Sequence, residues 1–235
     1  MLSRLSKVVT GLTLFVATSS VMALPNAMTS TFDVSRNGLS LGSLNTSLTV
    51  SGNKYRYEKS TRAIGLAKLL TGAKISEYSE GLFSGNRVIP TRYSYDEVIR
   101  KDERTDKADF SNGRAKGAYK GKAFDLAVPA NILDRAVLEM VVANDLKRNY
   151  PHLNYNVLER GEIKTYNFVR EGNEKVTTNA GVYDATKITV KRGDGSRETT
   201  LWMSKQLGFL PVKMLHKEKG DEFISLLRSY KPLSK

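Results

Sequence analysis

Turn residues punctuate this sequence at short intervals, and no other feature limits its fold as much. Asn37-Gly38, Ser51-Gly52-Asn53, Ser84-Gly85-Asn86, Asn112-Gly113 and Gly193-Asp194-Gly195-Ser196 supply hairpin chemistry between runs that carry strand patterning. The runs are Met28 to Arg36, Ser40 to Val50, Tyr55 to Ser60, Lys74 to Phe83, Arg87 to Lys101, Lys107 to Ser111 and Arg114 to Tyr119. Later come Tyr155 to Glu159, Lys164 to Arg170, Glu174 to Thr178, Tyr183 to Lys191, Arg197 to Ser204, Pro211 to Lys217 and Phe223 to Tyr230. Glu171-Gly172-Asn173 reads as a turn joining two of these. Alternation places Tyr55 and Tyr57 on one face and Arg56 and Glu58 on the other. Pro90 cannot donate to a ladder, so its strand lies at an edge or carries a bulge there. Roughly ten to twelve antiparallel strands without a dividing linker predict a mainly β fold, a single highly curved sheet over residues 24–235.

Two segments break the rhythm. Ile64 to Leu70 is apolar and long enough for one or two helical turns. ILDRAVLEMVVANDLKRN, opened by Pro129-Ala130-Asn131, repeats Ile132, Leu133, Ala136, Val137, Met140 and Val141 at helical spacing. Asn131 is the expected N-cap, Lys147 and Arg148 suit the last turn, and Pro151 stops the helix. The expectation is one main helix at about 131–149 covering the open side of the sheet.

The first 23 residues read as a secretory signal peptide: Arg4 and Lys7, an apolar run from Val8 to Val21, and a Val21-Met22-Ala23 cleavage site. That run is too short for a spanning helix, which needs about 20 residues, so the mature protein is expected in the periplasm and not as an integral membrane protein. The chain has no cysteine, which excludes disulfides, a lipidated cysteine and zinc sites built on thiolates. Its net charge of +13 falls to about +11 without Arg4 and Lys7 and favours an anionic envelope component. Nucleic acid is not an expected partner for an exported protein.

Catalytic and metal signals are weak. Gly38-Leu39-Ser40-Leu41-Gly42 fits the nucleophile-elbow spacing, but strand patterning follows it where a helix is required. The two glycines suit a tight turn and a bulge instead. Only His152 and His216 are present, so no histidine cluster can form. Asp102, Glu103, Asp106 and Asp109 match no calcium loop. The glycines of 113–122 lack a phosphate-loop ending, and Arg192-Gly193-Asp194 falls where a turn is expected. No cofactor is implied and no catalytic residue can be named, so a non-enzymatic protein is expected.

The stretch TLWMSKQLGFLPVKM, with FDVSRNGLSLGS, VIPTRYSYDEV, ILDRAVLEMVV and TNAGVYDATKITV, resembles an exported bacterial family known as domain of unknown function 3108. The Trp202-to-Pro211 hairpin is also similar to the ending of the LolA/LolB-like lipoprotein carriers. That resemblance implies a half-barrel with an apolar interior, covered by helix. The resemblance names no ligand; the expected function is binding of a hydrophobic or lipid-like envelope component such as a lipid or acyl chain, with Leu133, Val137, Met140 and Val141 of the apolar helix stripe and Trp202 of the hairpin lining the pocket. The other expectation is an interaction module with a filled interior, meeting an anionic polymer or a protein through its basic surface.

Overall fold

The computed structural model describes residues 26–192 and 196–233; the signal segment and residues 193–195 of the expected turn lie outside them. Fifteen strands form one continuous sheet. The first half contributes β1 (Met28–Arg36), β2 (Leu39–Ser51), β3 (Lys54–Ala63), β4 (Lys74–Ser84), β5 (Arg87–Ile99), β6 (Asp102–Ser111), β7 (Arg114–Tyr119) and β8 (Lys122–Ala127). The second contributes β9 (Ile132–Asp134), β10 (Leu153–Glu159), β11 (Glu162–Thr178), β12 (Gly181–Arg192), β13 (Arg197–Ser204), β14 (Leu210–Glu218) and β15 (Asp221–Pro232). The order is β8-β7-β6-β5-β4-β3-β2-β1-β15-β14-β13-β12-β11-β10-β9, so the terminal strands β1 and β15 pair at the centre. Every pairing is antiparallel except β9 with β10.

Bulges bend this sheet. Pro90 sits opposite Gly81 beside a register shift, so the proline marks a bulge inside the sheet and not an edge. Gly42 adjoins another shift between Val34 and Ser35. A Cβ on Gly42 would fall 2.1 Å from the Arg62 carbonyl oxygen, so this glycine serves close strand approach and Ser40 stays on a strand. The expected turn at 171–173 is not one. β11 runs through it with a shift between Arg170 and Gly172, since a single glycine with φ near 122° can be absorbed as a bulge.

The two sheet edges meet through side chains. Ala108, Ala115, Ile132 and Leu158 form one buried cluster, with Phe110, Phe124 and Leu126 against it. The Arg160 amide donates to Asp106 at 2.8 Å, and the Phe124 ring lies against Gly161. The result is an open barrel closed by packing and one polar clasp.

The helix expectation needs correction at its start. The main helix, α2, runs Leu138–Lys147 with Val137 as N-cap; Ile132 to Asp134 instead form β9. A short apolar run fits either period, and here all three residues are buried by pairing with β10. Asn131 does not cap the helix. Asp134 accepts the amide of the N-cap residue Val137 at 3.0 Å, and no side chain caps the helix itself. The shorter α1 (Gly65–Thr71) bridges β3 and β4 where helical turns were expected.

Candidate functional site

The segment from Asp134 to Glu139 crosses the barrel interior and is fastened by buried polar groups. Ser79 on β4 donates to Asp134, and Tyr55 on β3 lies 3.0 Å from the same hydroxyl. Arg135 donates to Glu77 at 2.9 Å and stacks over Tyr95 at 4.3 Å. Tyr57 donates to Glu139, which also pairs with Lys59 at 3.0 Å. Period-two geometry explains the convergence: Tyr55, Tyr57 and Lys59 share the inner face of β3, as Glu77 and Ser79 share that of β4.

Burial and charge tune these groups in opposite directions. Burial pushes the Asp134 carboxyl up to about 7, against its bonds from Ser79 and Val137. Burial also pushes the Glu77 carboxyl up, but the Arg135 and Lys59 charges outweigh it and hold Glu77 below the usual range. Burial and then the Glu139 charge hold the Tyr57 phenol far above its usual value. Asp134 is therefore the interior carboxyl poised near neutrality.

Two cavities flank this segment, and Glu139 borders both. The smaller, about 270 Å³, lies among Met28, Leu48, Tyr57, Met140 and the Gln206–Leu210 turn. The larger, about 420 Å³, has an apolar wall including Leu138, Phe168, Val190, Leu201 and Met214. Arg104, Arg135, Arg160 and Arg197 also line it, with Glu139, Glu159 and Glu218 among them. Arg104 pairs with Glu97 at 2.7 Å and Arg197 with Glu218 at 2.7 Å, yet each guanidinium carries five donors and keeps some for a ligand. Arg135 is 29% exposed while Asp134 and Ala136 beside it are fully buried. Arg135 is among the residues that line the larger cavity.

The residues expected to line one pocket all belong to the main buried cluster or pack against it, and of them only Met140 borders either of the two cavities. Met140 borders the smaller cavity. Leu133 and Val137 are buried in the main core, with Val141 packed against it. Trp202 pairs across strands with Lys187 and Lys213, donates its Nε1–H to Glu174 and lies 4.3 Å from the Lys213 ammonium. Its neighbour Leu201 lines the larger cavity, so Trp202 occupies the opposite face. Both residues are apolar, which is why alternation alone did not reveal the inner one. The arginines had no local signal, because they arrive from separate strands and turns.

Among the described residues no cluster of three or more His, Cys, Asp or Glu side chains could hold a metal, and no helix is long and apolar enough to cross a membrane. His216 bonds Thr199 at 2.9 Å and lies 3.5 Å from Glu218.

No curated protein matches the sequence. Among solved structures, a β-barrel-like protein of the DUF1849 family from Brucella abortus aligns at TM-score 0.60 with 9% identity, covering 90% of this chain and 99% of that one. That likeness shows the fold. A candidate lipoprotein from Parabacteroides distasonis has TM-score 0.35 with 10% identity, covering 88% of this chain and 95% of that one. A candidate exported protein with a YmcC-like fold from Bacteroides fragilis has TM-score 0.32 with 9% identity, covering 88% and 96% respectively. Scores this low add nothing to the fold assignment. The model of the family described as protein of unknown function DUF3108 matches residues 31–221, and the chain belongs to that family.

Proposed function

We propose that this protein is an exported, periplasmic, non-enzymatic binding protein that holds an anionic amphiphile of the cell envelope in its barrel. The observation that carries the reading is the larger cavity, where an apolar wall and four arginines, against three glutamates, line a common space. An acyl chain would lie along Leu138, Leu201 and Met214, with an acidic head toward Arg104, Arg160 and Arg197. The volume of about 420 Å³ falls within the range of small-ligand sites, roughly 300–1,000 Å³. A short chain or part of a longer one would fit. Apolar contact supplies affinity and the guanidinium forks select a carboxylate or phosphate.

The test is mass spectrometry of organic extracts of the purified protein, with titration of an environment-sensitive fatty-acid probe. Co-purified acidic lipid and saturable probe emission, both lost in Met214→Trp, are expected. A dark probe and an empty extract would refute the reading. They would favour instead a module whose basic surface meets an anionic polymer or protein.

A further inference from the structure

Antiparallel topology brings six connections among the described residues to one end of the barrel: residues 37–38, 64–73, 100–101, 120–121, 160–161 and 219–220. Arg104, Arg160, Arg197, Glu218 and Phe223 flank these connections, so the larger cavity lies at this end. The smaller cavity, beside Met28 and the Gln206–Leu210 turn, lies at the other.

Part of this rim is a continuous arc. The Asn37 amide donates to the Glu222 carbonyl at 2.9 Å, Ile64 to Leu41 at 3.0 Å and Arg100 to Thr71 at 2.7 Å. These bonds tie the β14–β15 turn, the β1–β2 turn, α1 and the β5–β6 turn side by side. Eight large apolar side chains are conspicuously exposed among the described residues, and four belong to this arc. They are Leu39 at 73%, Ile64 at 45%, and Val98 and Ile99 at 36% each. Around them stand Arg62, Lys68, Lys74, Arg100, Lys101 and Lys219, all exposed and none in an ion pair among the described residues. The exposed carboxylates without an ion pair along the same arc are Asp102 and Glu103.

We propose that this arc is a docking surface for an anionic phospholipid bilayer. Water-exposed apolar side chains ringed by unpaired cations match an interface whose headgroups are acidic and whose boundary is apolar. A soluble polyanion would satisfy the cations and leave Leu39 and Ile64 in water. Docking at this rim would bring the cavity lined by arginines against the membrane, which gives an amphiphile a short path between them. The surface is read without any ligand in the cavity, so failure of either proposal leaves the other standing.

The experiment is co-sedimentation of the purified protein with phosphatidylcholine vesicles, with and without a minority of phosphatidylglycerol, at low and high salt. Binding that requires phosphatidylglycerol and weakens with salt is expected. Each cation near an anionic surface contributes about a fivefold factor, so Arg100→Glu with Lys101→Glu should weaken partitioning by at least roughly 30-fold. Leu39→Ser with Ile64→Ser should weaken it on the order of tenfold without altering charge. All four positions are exposed, and thermal melts check that the variants fold. Vesicle binding indifferent to phosphatidylglycerol would overturn the proposal. So would a Leu39/Ile64 variant that binds like wild type and is displaced by dextran sulfate, which would identify a polyanion surface.

Discussion

Asp134→Asn tests whether the interior carboxyl works as its surroundings dictate. Asp134 is fully buried, accepts from Ser79 and the Val137 amide, and has its carboxyl pushed from 3.8 up to about 7. Its folded-state value exceeds its unfolded one, so folding takes up a proton and stability falls as pH rises between the two. Each unit is worth about 1.36 kcal/mol, which makes the full cost about 4 kcal/mol above pH 7 and the part accrued between pH 5 and 8 about 3 kcal/mol. Asparagine removes the titration and keeps the fit. Its carbonyl can still accept from Val137 and its amide can donate to Ser79, whose hydroxyl turns to Tyr55. Urea unfolding of both proteins at pH 5 and pH 8 is the assay. The wild type should lose about 3 kcal/mol relative to the variant over that interval. Parallel pH profiles would show that Asp134 is not desolvated as described, and the reasoning would fail.

The single tryptophan offers a second check. Trp202 lies on the sheet face away from the larger cavity, so its buried-type emission should not shift when a non-fluorescent fatty acid binds; a shift would place the ligand elsewhere. Glu139→Gln keeps an acceptor for Tyr57 but removes the carboxylate paired with Lys59 and leaves it only the charge of Glu77, so a loss of about 1–3 kcal/mol in chemical denaturation is expected. A Cβ on Gly117 would fall 1.8 Å from the Lys107 carbonyl oxygen, so Gly117→Ala must separate β6 from β7 and cost about 1–3 kcal/mol, read from the melting temperature.

Local chemistry was legible in the sequence and long-range pairing was not. Asn37-Gly38 and Asn112-Gly113 are hairpin turns because only a few residues tolerate positive φ, and both asparagines and both glycines have it. The curved sheet follows from counting such turns. β9 was hidden because Ile132, Leu133 and Asp134 are strand only by virtue of β10, which follows some twenty residues later. The interior polar segment was hidden for a related reason. Glu77 and Glu80 are the same residue type on opposite faces of β4, and only closure of the barrel makes Glu77 an inner group bonded to Arg135, 58 positions away.

That interior chemistry bears on why a cavity persists. Apolar residues alone at 77, 79, 135 and 139 could pack together, and a buried ion pair is often no more stable than such a core. Here the polar bonds have fixed partners on β3 and β4, so the segment before α2 is held across the barrel at one height. Each of these groups would lose its partner if α2 moved, and an unpaired buried charge or hydroxyl costs more than closer apolar packing would contribute. The segment therefore resists sliding into the space beside it. The larger cavity stays open because collapse would orphan Glu77, Arg135 and Glu139 together, and the wall that remains joins apolar strands to arginines in one site.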